Sequence, residues 1–117
     1  MSPMRIERVD GVCVARPRED IDAASARRMR DALAECLDEG GDSLVLDLSE
    51  TRYIDSAGID MLFRMSELLR ERRARLQLVI PPESNLARLA AIVALPSAVP
   101  VHETVELALA ATRETAA

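Results

Sequence analysis

Leu44-Val45-Leu46-Asp47-Leu48, Ser49-Glu50-Thr51-Arg52-Tyr53-Ile54 and Asp55-Ser56-Ala57-Gly58-Ile59-Asp60-Met61-Leu62 form one continuous stretch, and its reading decides the fold. The first part is an apolar run of strand formers with little polar interruption. Such a run suits a strand buried in a sheet. The last part begins a helical pattern. Asp55 is placed to cap that helix, because a carboxylate there accepts the free N–H groups of the first turn. Ser56 then falls in the first turn, at the positive end of the helix. Ala57 and Gly58 are small, so little blocks approach to the hydroxyl. A second protein could reach it, and a phosphate placed on it would meet backbone N–H donors.

Upstream, Arg5 to Val9 alternates weakly and Asp10-Gly11 is a two-residue turn signal. Val12-Cys13-Val14-Ala15 follows as a second apolar run, which predicts an N-terminal hairpin. Pro17 discourages continuation of a central strand. Asp22 is placed to cap the next helix, with Ser25 in its first turn. Ala26, Met29, Leu33, Cys36 and Leu37 make one apolar stripe, and Gly40-Gly41 ends the helix in the expected way.

The helix that begins at Ser56 is expected to run to about Arg73. Ile59, Leu62, Phe63, Ser66 and Leu69 form its main stripe, and Met61, Met65 and Leu68 widen it. So wide a stripe must touch more than a sheet: a neighbouring helix, or a partner surface beside Ser56. In the strand from Leu44, residues Leu44, Leu46 and Leu48 share a face, and a later strand repeats this with Leu76, Leu78 and Ile80. Polar Asp47 and Gln77 on the other side predict a face that is only partly covered, with the helices mainly on the leucine face. Pro81-Pro82 stops that later strand. Ser84 or Asn85 starts a short helix, and Pro96 ends the region. Val101-His102 is a short strand, Thr104 caps a last helix, and the tail from Arg113 is expected to fray. Strands and helices alternating in this way predict an α/β domain: a mixed sheet, hairpin first and parallel strands after, with about four helices.

The whole chain, 117 residues, fits one domain, with an ordered core expected at about residues 5–112. A net charge of −5 argues against nucleic-acid binding. Arg70, Arg72, Arg73 and Arg75 read as cations closing a helix, and no aromatics interleave for base stacking. No apolar run is long enough for a bilayer span and the first residues lack a secretory pattern, so no membrane insertion and a cytoplasmic location are expected. Cys13 and Cys36 lack metal-ligand spacing, and no cofactor or metal is expected. Both sit at apolar-pattern positions and read as buried inert thiols; a redox pair would require them to meet in space.

With Asp55-Ser56-Ala57-Gly58 in place, the chain resembles the STAS domain, shared by anti-sigma factor antagonists and the cytoplasmic ends of sulfate transporters. Ile21-Asp22-Ala23-Ala24-Ser25-Ala26, Leu44 to Ile59, and Asn85-Leu86-Ala87-Arg88-Leu89 with Val101 to Leu109 carry the resemblance. It implies that Ser56 is a phosphoacceptor. The partners it implies are an anti-sigma factor that is itself a serine kinase, and a metal-dependent serine phosphatase that resets the cycle. Unphosphorylated antagonist would bind the kinase and free the sigma factor. Asp22, Ser25, Asp55, Ala57, Gly58, Ile59, Asp60 and Met61 would bind the partner. The protein would be a monomer or weak dimer.

Two positions depart from the family pattern. Glu19 stands where glycine is usual, and Asp60 where a small residue is usual; a carboxylate near Ser56 could change kinase choice. The resemblance also admits a fixed STAS subunit of a lipid-transport ABC system, or a scaffold in a stress-signalling complex. An enzyme is not expected. Ser56 would need a base, and the only histidine, His102, lies in another strand without an orienting acid. No nucleophile elbow or phosphate loop is present.

Overall fold

The computed structural model describes residues 4–38 and 43–116. Met4–Val9 (β1) and Val12–Pro17 (β2) form the antiparallel hairpin signalled by Asp10-Gly11. Both turn residues have positive φ, 52° and 81°. Only such values match the twist of the flanking strands, and Asp and Gly tolerate them. β2 pairs in parallel with β3 (Leu44–Asp47), β3 with β4 (Leu76–Val79), and β4 with β5 (Val101–His102). The five strands therefore stand in chain order across the sheet. Pro17 ends β2 opposite Met4 alone, beyond the last β2–β3 pair, Ala15 with Leu46. Its missing N–H thus costs the β3 side nothing.

The helices are α1 (Ala23–Asp38), α2 (Ser56–Glu71), α3 (Asn85–Ile92), α4 (Leu95–Ala98) and α5 (Val105–Ala116). The leucine face of β3 and β4 meets the stripes of α1 and α2 in the main core, joined by Leu86, Ala90 and Leu95. α5 lies across the opposite face, where Ala108 and Leu109 pack on Val12, Val14, Val45 and Val79. The two faces are thus set by the alternation along β3 and β4. α2 stops at Glu71, and Arg73 takes φ 60° just beyond it, the left-handed position that closes many helices.

Several expectations need correction. The Asp47 and Gln77 positions are not open: each residue is only 2% exposed. Asp47 accepts from Arg16 Nε at 2.8 Å and from the Ser49 N–H at 3.0 Å. Gln77 Oε1 lies 2.6 Å from His102 Nε2. Burial of these groups is tolerable because each has a partner. Pro96 does not end the helical region; it sits in the first turn of α4, where its lost N–H is harmless. The tail does not fray at Arg113. α5 continues to Ala116, and Arg113 Nη2 donates to Asp10 Oδ2 at 2.8 Å, tying the helix to the hairpin turn. Gly40-Gly41 lies outside the described residues.

The cysteines need the largest correction. Both are buried, Cys13 at 0% and Cys36 at 6% exposure, but they are not separate thiols: they form a disulfide between β2 and α1. Their Cα atoms are 6.6 Å apart, within disulfide reach. Arg8 adds a second tie at the same place, donating from Nη2 to the Cys36 carbonyl at 2.6 Å. A cation there also opposes the negative end of the α1 dipole.

Candidate functional site

The loops that precede α1 and α2 are stitched together. Ile21 and Ile54 form a parallel bridge. The Ile21 N–H donates to the Tyr53 carbonyl and the Asp55 N–H to the Ile21 carbonyl, both at 3.0 Å. The starts of the two helices are therefore neighbours, and Asp22 is brought beside Asp55 and Ser56. Both isoleucines are buried, Ile21 at 0% and Ile54 at 3% exposure, so the junction rests on the core.

Gly58 explains how the junction can be so close. A Cβ on Gly58 would stand 2.5 Å from Ile54 Cγ1, 2.7 Å from Ile21 Cγ2 and 3.0 Å from the Ile21 carbonyl oxygen. No side chain fits there without displacing the two loops. Glycine at this position therefore does more than leave the helix start uncrowded.

Each helix start is capped. Asp55 Oδ1 accepts from the Gly58 N–H at 3.0 Å. At α1 the cap is reciprocal: the Ser25 N–H donates to Asp22 Oδ1 at 2.9 Å, and the Asp22 N–H donates to Ser25 Oγ at 2.8 Å. Each side chain thereby satisfies an otherwise orphan donor. The one proton of the Ser25 hydroxyl has two near acceptors in reach, the Asp20 carbonyl at 3.0 Å and Asp22 Oδ1 at 3.1 Å. Asp20 in turn accepts from the Tyr53 N–H at 3.2 Å. Donors on Ser25 hold the Asp22 carboxyl below its ordinary value of 3.8, first the backbone N–H and then the hydroxyl.

A folded-state value below the unfolded one stabilises the fold above the ordinary carboxylate range. That contribution disappears as pH falls through the lowered value. Asp22→Ala is therefore expected to show a flatter loss of stability between about pH 5 and pH 2 than the natural chain. Denaturant unfolding at stepped pH reads this; parallel acid limbs in the two proteins would contradict it.

Ser56 is exposed. It is the first residue of α2, and the first intrahelical bond runs from the Ile59 N–H to the Asp55 carbonyl at 3.0 Å. The hydroxyl thus stands at the positive end of the dipole, beside amides not used by the helix. Asp22 and Asp60 are exposed, while Asp55, Ala57 and Ile59 are half-buried. Ser25, Gly58 and Met61 are buried and lie beneath that surface. Asp60, one of the two departures from the family pattern, is engaged by Arg64 Nε at 2.7 Å. Glu19, the other, lies 3.0 Å from Arg28 Nη2. Both extra carboxylates therefore carry a local counter-charge.

Sequence reasoning missed Tyr53. It is 57% exposed, three residues before Ser56, and its backbone is held by both Ile21 and Asp20. A rigidly mounted, exposed aromatic is a candidate contact residue, since tyrosine is enriched where interfaces bind most strongly. Only the bridge to Ile21 shows that it faces outward. A wide depression of about 670 Å³ beside it is lined by Arg18, Glu19, Asp20, Ser49, Glu50 and Arg52. Two cations among three carboxylates give no convergent charge for a small ligand. No group of metal-ligating side chains is found among the described residues.

The chain and its fold match known proteins. The STAS domain family model matches residues 3–108, and the chain belongs to the STAS domain family. BtrV of Bordetella bronchiseptica, a proposed anti-sigma factor antagonist, is 29% identical over 75 residues; the match spans 64% of this chain and 65% of BtrV. An anti-sigma factor antagonist from Mycobacterium paratuberculosis superposes with a TM-score of 0.82 at 25% identity, over 94% of this chain and 92% of that one. The antagonist SpoIIAA, in its unphosphorylated form, gives a TM-score of 0.75 at 17% identity over 95% and 96%. At that identity the likeness is one of fold. No helix among the described residues is long and apolar enough to cross a membrane.

Proposed function

We propose that this chain is an anti-sigma factor antagonist, a protein-binding switch rather than an enzyme, whose state is written on Ser56. Unphosphorylated chain binds an anti-sigma factor that is also a serine kinase, and so releases the sigma factor. Phosphate on Ser56 ends that binding, and a metal-dependent phosphatase restores it. The single observation that carries the reading is the exposure of Ser56 at the capped start of α2. The resemblance to antagonists over nearly the whole chain supports it.

The physics of the switch is local. A phosphate adds roughly −1.5 to −2 charge. Asp55 already places a carboxylate on the same helix start, and Asp22 stands on the adjoining loop. The added charge accumulates on a docking surface, while caps and core remain as they were. Binding weakens through like-charge repulsion and the cost of desolvating the new group, without a change of fold.

Ser56→Asp is expected to bind the kinase on the order of tenfold or more weakly than the natural chain, and Ser56→Ala to bind it constitutively. Isothermal titration of the three proteins against the kinase measures this. Equal affinities would remove the switch. Stable association with a membrane ATPase, without phosphate, would favour the lipid-transport subunit instead.

A further inference from the structure

Between α1 and α2 lies a groove of about 270 Å³. The helices keep its walls low with small residues, Ala23 and Ala26 on α1 and Ala57 on α2. Ala57 follows Ser56 directly, so the groove opens one residue from the candidate phosphoacceptor. Leu68, 51% exposed, supplies an apolar wall farther along α2.

The rim is basic. Arg27 and Arg30 stand on α1 and Arg64 on α2, all three exposed, against one carboxylate, Asp60. Asp60 is already paired with Arg64. Arg30 has only a long contact, 3.9 Å, with its chain neighbour Asp31. Arg27 has no ion pair among the described residues. The chain as a whole has the opposite bias, 15 basic residues to 20 acidic ones. Composition therefore does not explain Arg27 without an ion pair and Arg30 with only that long one, both beside an apolar groove.

We propose that this groove receives an acidic, amphipathic helix of the protein partner, with its apolar side on Ala23, Ala26 and Leu68 and its carboxylates on Arg27 and Arg30. The proposal rests on Ser56 being the docking switch, and it deepens that reading by giving the partner a chemistry. Interhelical grooves take helices whose apolar anchors recur at helical spacing. A nucleic acid fits less well, because the rest of the chain repels a polyanion and no aromatic lines the groove. The charge pattern also sets the sign of the switch. A phosphate on Ser56, the chain neighbour of Ala57 in the groove lining, would repel the carboxylates that the arginines attract.

The probe is a synthetic amphipathic helix of Leu, Ala and Glu, titrated into the isotopically labelled full chain and followed by NMR. A counterpart with every Glu replaced by Lys is titrated in parallel. The Glu peptide is expected to shift the amides of Ala23, Ala26 and Ala57 and to lose affinity as salt is raised. The double variant Arg27→Glu/Arg30→Glu is expected to bind it about tenfold more weakly. Both arginines are exposed, so the variant keeps its fold; Arg27→Gln/Arg30→Gln gives the same test with less charge change. Equal binding of both peptides, shifts confined to another face, an unchanged affinity in both variants, or stronger occupancy by an oligonucleotide or anionic vesicle would each overturn the proposal. No kinase enters this experiment and no groove residue enters phosphate mapping, so the two readings fail separately.

Discussion

Removing the Cys13–Cys36 disulfide is expected to lower the stability of this domain by about 3 kcal/mol. The bond closes a loop between residues 23 apart in sequence, which restricts the unfolded chain far more than the folded one. In the folded state β2 and α1 are already held together by the core around Leu33, Leu37 and Leu44. Reduction therefore releases chain entropy while the packing survives, and the domain stays folded but unfolds more readily. Urea unfolding with and without a reductant, with thiol titration to confirm complete reduction, measures the difference. The double variant Cys13→Ala/Cys36→Ala should fall at least as far, since it also removes packed sulfur. An unchanged midpoint after full reduction would show that the bond contributes nothing.

Gly58→Val should cost a comparable amount, on the order of 3 kcal/mol, for a different reason. The new Cβ would overlap Ile54 and Ile21 side chains and press on the Ile21 carbonyl. That carbonyl accepts the Asp55 N–H, so relief of the clash must separate the two loops. The damage should fall on the site as well as on stability: Asp22 and Ser56 would part, and partner binding would drop with the melting temperature. Gly58→Ala presents the same Cβ and should lose less, because a better helix former offsets part of the clash. Thermal unfolding of the two variants beside the natural chain checks this. A Gly58→Val protein as stable as its parent would mean that the junction is looser than the geometry shows.

Both effects arise from contacts that a linear sequence reveals unequally. Features of local chemistry were legible. Asp10-Gly11 marks its turn, Asp55 and Ser84 accept from the first turns they cap, and Thr104 accepts from the Leu107 N–H at 3.2 Å. The alternation of Leu44, Leu46 and Leu48 against Val45 and Asp47 announced two faces. What it did not announce was that α5 would lie on the second face, or that Asp47 and Gln77 would be buried with partners 31 and 25 residues away. Pro96 was legible as punctuation but not as to which side of it a helix stands, because proline suits a first turn as well as a stop. The disulfide required the distance between two cysteines, which periodicity cannot supply.

The candidate site divides in the same way. Ser56, Asp55 and Gly58 were legible because a strand, a cap and a small-residue turn follow one another in the chain. Asp22 was legible only as a cap; the Ile21–Ile54 bridge is what makes it a neighbour of Ser56. Tyr53 was invisible, since its exposure depends on how that bridge directs the loop. The basic rim of the α1–α2 groove was equally hidden, because Arg27, Arg30 and Arg64 converge only when the helices pack.

The central claim is that a partner writes a charge on one exposed hydroxyl. The most direct test is to incubate the chain with ATP and an anti-sigma factor kinase that binds it, then map the phosphate by peptide mass spectrometry. A single phosphate on Ser56, absent from Ser56→Ala, is the predicted result. A bound kinase that leaves Ser56 unmodified, or places the phosphate on another residue, would contradict the account.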